Sequence, residues 1–393
     1  MPYNFDELID RKNTNSLKYD FAAERGKKET LIPMWVADMD FATLPDVTKA
    51  LVKAAEHGVF GYSEVKDNYF TILHKWFLSH YHWDIDRKWL VKTPGVVFAI
   101  ATSVRAFTRE GDSILIQRPV YYPFSEAVLN NNRKLINNPL IYENGSYRID
   151  FEDFEQKIID NQVKLFILCN PHNPVGRVYT REELTRLGDI CVKHDVLVVS
   201  DEIHADFIHP GHTHLVFASI KEEYANRTVT CTAPSKTFNL AGLQASNVLI
   251  PNPALKTKFK EEITKSGYSQ LNTMGLIACQ AAYEYGDEWL KELEAYIYEN
   301  IRTAKQFIEA EIPVLKVVDT QGTYLLWVDF NALGMETEAL ENFITEKAGL
   351  WLDGGTMFGP EGKGFQRFNV ACPKATLLKA LDQLKAAVAS SLS

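Results

Sequence analysis

Val163-Lys164-Leu165-Phe166-Ile167-Leu168-Cys169-Asn170-Pro171-His172-Asn173-Pro174-Val175-Gly176 is an apolar run that stops abruptly at an amide and two prolines. An aliphatic strand with a single lysine near its start has to be covered on both faces, which is the condition of strands in parallel sheets. Thr180-Arg181-Glu182-Glu183 comes next as a capping box and opens a helix predicted to run to about His194. The same alternation extends outward. Residues 196–200, 228–232 and 246–250 read as further buried strands, and 113–117 reads as another after the turn Glu110-Gly111-Asp112. Buried strands separated by helices predict an α/β fold, with a mostly parallel sheet sandwiched between helices.

Past about Gly286 the pattern changes. A long amphipathic helix over 288–310 leads to strands at 315–319, 323–330 and 365–371, and a last helix covers 375–390. This predicts a smaller α+β domain that the first 45 or so residues join. The expected division is a large domain at 46–286 and a small one built from 1–45 and 287–393. Length agrees, since 393 residues exceed what one compact core holds. No repeat, low-complexity tract or flexible linker separates the parts, so they must be interleaved or tightly packed.

Composition narrows the partners. The net charge of −9 argues against nucleic acid or an anionic membrane surface. No apolar run approaches the roughly 18–20 residues that span a bilayer. Met1-Pro2-Tyr3-Asn4-Phe5-Asp6-Glu7 has neither a basic nor an apolar signal-peptide region. The five cysteines are odd in number and never form a CxxC pair, which predicts buried reduced thiols and a cytoplasmic protein.

In open α/β sheets ligands bind beyond the carboxyl ends of the strands. Three such ends carry conspicuous polar groups: Asn170 to Asn173 after the first strand, Ser200-Asp201-Glu202-Ile203-His204 after the next, and Ser235-Lys236-Thr237-Phe238 after the third. An amide, a carboxylate and an ammonium would converge on one crevice. The carboxylate suits a protonated ring nitrogen, the lysine an aldehyde, and the amide a phenolate oxygen. Neither a P-loop nor a GxGxxG is present, so the nucleotide-binding folds lose their main signal.

These runs resemble the fold-type-I pyridoxal 5′-phosphate (PLP) enzymes of the class I/II aminotransferase group. Pro33-Met34-Trp35-Val36-Ala37-Asp38-Met39-Asp40-Phe41, Phe60-Gly61-Tyr62 and Ala233-Pro234-Ser235-Lys236-Thr237-Phe238-Asn239 carry a closer likeness to the cystathionine β-lyase branch, the carbon–sulfur lyases of the MalY/PatB type. The resemblance implies the aspartate-aminotransferase fold, with a seven-stranded sheet in the large domain. It makes Lys236 the lysine that bonds the cofactor aldehyde and moves the substrate Cα proton. It pairs Asp201 with the pyridine nitrogen and puts Asn173 beside the ring oxygen and near the substrate. His204 stands where many of these enzymes have a tyrosine.

The resemblance further places the phosphate on Val96 and Val97, after Thr93-Pro94-Gly95, with help from Ser235. Ala233 and Gln244 replace a hydroxyl and an arginine that relatives use there. Tyr121 would stack on the ring, with Tyr122 as its rival. Arg367, in Phe365-Gln366-Arg367-Phe368-Asn369, would grip the substrate carboxylate by bidentate bonds. Tyr62 would reach a partner's cofactor and substrate across a homodimer with shared sites. His204, His209, His212 and His214 match no zinc spacing, so no metal is expected. The activity implied is β-elimination of thiol from cystathionine-like or cysteine-like amino acids, giving pyruvate and ammonia. An aminotransferase using the same residues is the alternative, and a non-catalytic regulator of this fold is the third reading.

Overall fold

The computed structural model describes residues 3–392; Met1 and Pro2 of the N-terminal stretch read above, and Ser393, lie outside it. Seven strands form the large sheet: β1 (Leu90–Thr93), β2 (Ser113–Ile116), β3 (Lys134–Asn137), β4 (Leu165–Cys169), β5 (Leu197–Asp201), β6 (Thr228–Thr232) and β7 (Ser246–Leu249). Their order is β1-β7-β6-β5-β4-β2-β3. The neighbours from β6 through β3 are parallel. The strand expected at 246–250 is present as β7, but it runs antiparallel to both neighbours.

Why the runs show no polar alternation is plain from β4. Leu165, Ile167 and Cys169 pack into one buried cluster with Val199 and Val229. Phe166 and Leu168 pack into the other, with Val198. Successive side chains point to opposite faces and both faces are covered, so every position is apolar. Helix α1 (Val96–Phe107) and helix α2 (Arg181–Lys193) belong to these layers. The capping box of α2 closes as read: Glu183 N donates to Thr180 Oγ1 at 3.2 Å and Thr180 N donates to Glu183 Oε2 at 2.9 Å.

A smaller antiparallel sheet has the order β8-β9-β11-β10, where β8 is Lys316–Val317, β9 Leu325–Asp329, β10 Asp353–Gly354 and β11 Phe365–Asn369. All three strands expected here are shorter than the sequence suggested: 365–371 ends at Asn369, and the two before it are cut back at both ends. The chain between them makes a turn in which Thr323 takes a positive φ of 70° and Gly322 abuts the Phe207 carbonyl, so neither strand can extend through it. Helix α4 (Asp287–Glu311) and helix α5 (Lys374–Leu392) share a core through Leu293, Ile297, Leu381 and Leu384. Phe5, Met34, Met39 and Phe41 enter that same core, and Ile32–Pro33 pairs in parallel with Leu350–Trp351. Among the described residues no helix is long and apolar enough to cross a membrane.

Candidate active site

The parallel register sets the carboxyl ends level. Cys169 lies opposite Asp201, and Asp201 opposite Cys231. A short helix, α3 (Pro234–Thr237), follows β6 and carries Lys236. A cavity of about 340 Å³ opens above these ends. Its walls include Val96, Val97, Tyr121, Asn173, Asp201, His204, Ser235, Lys236 and Arg367. The fold thus brings together nine of the residues singled out in the sequence. Tyr62 is not among them: it is 99% exposed and lies by a separate surface depression with residues 269–274. Both rivals for the stacking position border the cavity; Tyr121 is the more buried, and its amide donates to the Asn173 carbonyl at 3.0 Å.

Burial displaces the charges at the base of this cavity. Asp201 is pushed up to about 7, because desolvation outweighs its one backbone bond from Ile203 N at 3.1 Å and the attraction of Lys236. Asp201 forms no ion pair with any described residue. Lys236 is lowered to about 8 by the same desolvation, with Arg367 adding repulsion. Its Nζ donates to the Ala37 carbonyl at 2.7 Å, an oxygen that also accepts from Tyr324 Oη at 2.9 Å. His204 is held far below its ordinary value by desolvation and then by Lys236 and Arg367, so its ring is neutral, and its Nδ1 has no partner.

The opposite wall is already paired. Arg367 Nη1 donates to Asn173 Oδ1 at 2.9 Å, and Nη2 donates to the Trp35 carbonyl at 2.8 Å and to Asp353 Oδ2. The guanidinium also lies over the Phe358 ring at 4.9 Å. Nε remains buried without a partner, a donor free for a further anion. Asp353 was not singled out in the sequence. It faces Arg367 across the β10–β11 ladder, and that register leaves no trace in local pattern.

The stretch 33–41 is fastened across the same opening. Asn239 Nδ2 donates to the Met39 and Phe41 carbonyls, both at 2.9 Å, while its Oδ1 accepts from Met39 N. Asn369 Nδ2 donates to the Val36 and Asp38 carbonyls. Below them, buried Lys18 and half-buried Arg11 hold Asp38 and Asp40. The polar residues of this stretch therefore lock a segment of chain against the lysine-bearing turn.

The donor set fits PLP. No side chain caps α1, whose first amides lack intrahelical partners, and a Cβ built on Gly95 meets nothing within 4 Å. That end of the cavity is open to an anion, with the Ser235 side chain alongside. Asp201 has no ion-pair partner and Lys236 is displaced toward its neutral form, which a basic ring nitrogen and an aldehyde would each satisfy. Of the histidine cluster, His204 lines the cavity, His214 Nε2 meets Glu202 at 2.9 Å, and His209 meets the carbonyls of Thr320 and Thr323. These are three separate surroundings.

Residues 29–384 match the family model described as aminotransferase class I and II. The chain belongs to that family. Within it, the chain is 43% identical over 385 residues to the cystathionine β-lyase PatB of Bacillus subtilis, covering 98% of this chain and all of that protein. It superposes on cystalysin from Treponema denticola, a structure containing pyridoxal 5′-phosphate, with a TM-score of 0.96 at 40% identity, covering 99% of this chain and 100% of that one. The PLP-bound C–S lyase of Staphylococcus hominis, in complex with L-cycloserine, gives a TM-score of 0.93 at 34% identity over 99% of each chain.

Proposed function

We propose that this class I/II family member is a PLP-dependent carbon–sulfur β-lyase, releasing thiol, pyruvate and ammonia from cystathionine-like and cysteine-like amino acids. The observation that carries the reading is the level placement of Asp201 and Lys236 in one water-poor cavity, each displaced toward its neutral form. The full-length likeness to enzymes named for this reaction supports it. When bound, the cofactor supplies an aldehyde that captures amines and a ring that takes up the electron pair left at Cα.

The chain's own groups do the rest. The amides at the start of α1, around Val96 and Val97, and the Ser235 hydroxyl hold the phosphate. Asp201 stays ionised against the ring nitrogen and thereby keeps it charged. Tyr121 covers the ring face. Asn173 and His204 stand near the ring oxygen. Arg367 fixes the substrate carboxylate, and Lys236 Nζ takes the proton from Cα. The Cβ–S bond then breaks with its electron pair on sulfur, and the thiolate leaves. Water converts the released three-carbon enamine to pyruvate and ammonia.

We also propose the two-domain division at residues 45 and 286, a homodimer and a cytoplasmic setting. Tyr62 supports the dimer, since a tyrosine left almost wholly in solvent is a natural contact for a second copy. Five buried free thiols support the cytoplasm. The deciding assay supplies cystathionine without any keto acid. Sustained pyruvate over many turnovers is expected. A single burst that only 2-oxoglutarate restores would install an aminotransferase instead.

A further inference from the structure

The cavity holds a second arginine that the lyase chemistry leaves unused. Arg25 ends a short helical turn, Ala23–Arg25, which is closed by Gly26 N donating to the Ala23 carbonyl at 2.9 Å and Lys27 N donating to the Ala22 carbonyl at 2.8 Å. Gly26 takes the left-handed conformation that this stop requires, with φ at 65°. The Arg25 guanidinium lies over the Trp35 ring at 5.0 Å, and Trp35 in turn stacks on Trp351 at 4.4 Å with planes 12° apart. Since the carbonyl of Trp35 also receives Arg367, one residue fixes the position of both guanidiniums.

Arg25 lines the cavity beside Leu17, Tyr122 and Met357, at the mouth. The phenol of Tyr122 feels both arginines. Asp353, the carboxylate on this side, is taken by Arg367, and Arg25 forms no ion pair with any described residue. A cation held on an aromatic shelf, lining the same cavity as the α-carboxylate anchor together with Leu17 and Met357, matches a substrate with a thioether in its middle and an anion at its far end.

We propose that Arg25 is a specificity-determining residue that binds a distal carboxylate on the sulfur substituent, so that the enzyme prefers carboxylate-bearing S-conjugates of cysteine. The inference rests on the lyase reading of the same site. A charge at the mouth of a cavity is partly screened by water, so the effect is moderate and falls on substrate capture rather than on the chemical step.

The test compares S-(2-carboxyethyl)cysteine with its neutral amide of the same length, following pyruvate release by the holoenzyme. Wild type should favour the acid about tenfold in kcat/KM, mainly through KM. Arg25→Gln should bring the two substrates within about twofold by weakening the acid while leaving the amide unchanged, and Arg25→Glu should reverse the preference. An acid preference that survives Arg25→Gln, or an equal loss on both substrates, would overturn the assignment. If wild type releases pyruvate from neither substrate, the lyase reading itself fails, which is a different result from loss of selectivity alone.

Discussion

Asp201 and Asp353 are two buried carboxylates in one cavity, and they meet opposite circumstances. Asp201 ends β5 at the base, where it has one backbone N–H and no ion-pair partner, and burial lifts it to about 7. Asp353 lies on the wall, also pushed up by burial, but with Arg367 pressed against it pulling the other way. The base is a set of unsatisfied groups that a bound molecule completes. The wall is complete by itself and holds its arginine in readiness. A buried charge without a partner is costly, so its persistence at the base points to a ligand that supplies the partner.

The contrast breaks most visibly at Lys236. Lys236→Ala should lower turnover by about 10⁴-fold or more, because it removes both the aldehyde's anchor and the Cα base. Borohydride reduction of wild type should label a single peptide containing Lys236, and label on another lysine would end the assignment. Asp201→Ala should cost about 30- to 1000-fold in kcat, the equivalent of roughly 2–4 kcal/mol of lost stabilisation of the charged ring. Near-normal turnover in steady-state assays would show that the base does not need its carboxylate.

On the wall the expected effect is on stability. Asp353→Asn leaves the Arg367 guanidinium buried without its counter-charge and should destabilise the fold by about 1–3 kcal/mol in urea unfolding. An unchanged midpoint would mean that the wall pair is not formed. The smallest effect sharpens the account of the base. Only a neutral amine attacks an aldehyde, and Lys236 is lowered to about 8 in the cofactor-free chain. The rate of PLP capture by cofactor-free protein should therefore rise about tenfold from pH 7 to 9 and then level off. A rate still climbing tenfold per unit at pH 9.5, followed by absorbance, would show an ordinary lysine.

Much of the base was readable in advance because it depends on local pattern. Buried runs of strand-forming residues mark β4, β5 and β6, and polar groups cluster where each run stops, at the carboxyl ends. The segments that hold Asn173, Asp201 and Lys236 follow from that pattern, and the family resemblance singled these residues out and gave their roles. The wall was legible only in part. Arg367 was found through its resemblance, while Asp353 and Arg25 were missed, since one depends on cross-strand register and the other on a stack between residues 35 and 351. The antiparallel course of β7 was hidden for the same reason. A fully buried strand reads the same in either direction.

The fastening of residues 36–41 has a consequence for how the protein folds. Asn369 holds the Val36 and Asp38 carbonyls, and Ala37 between them offers its carbonyl to Lys236. Until Asn369 is in place, residues 36–38 lack the side chain that holds them. The parallel strands can form earlier, but the opening above them stays unfinished until these two distant stretches meet. The final geometry of the cavity thus depends on contacts between residues 333 and 331 positions apart, which form later than the local pairings of the sheet.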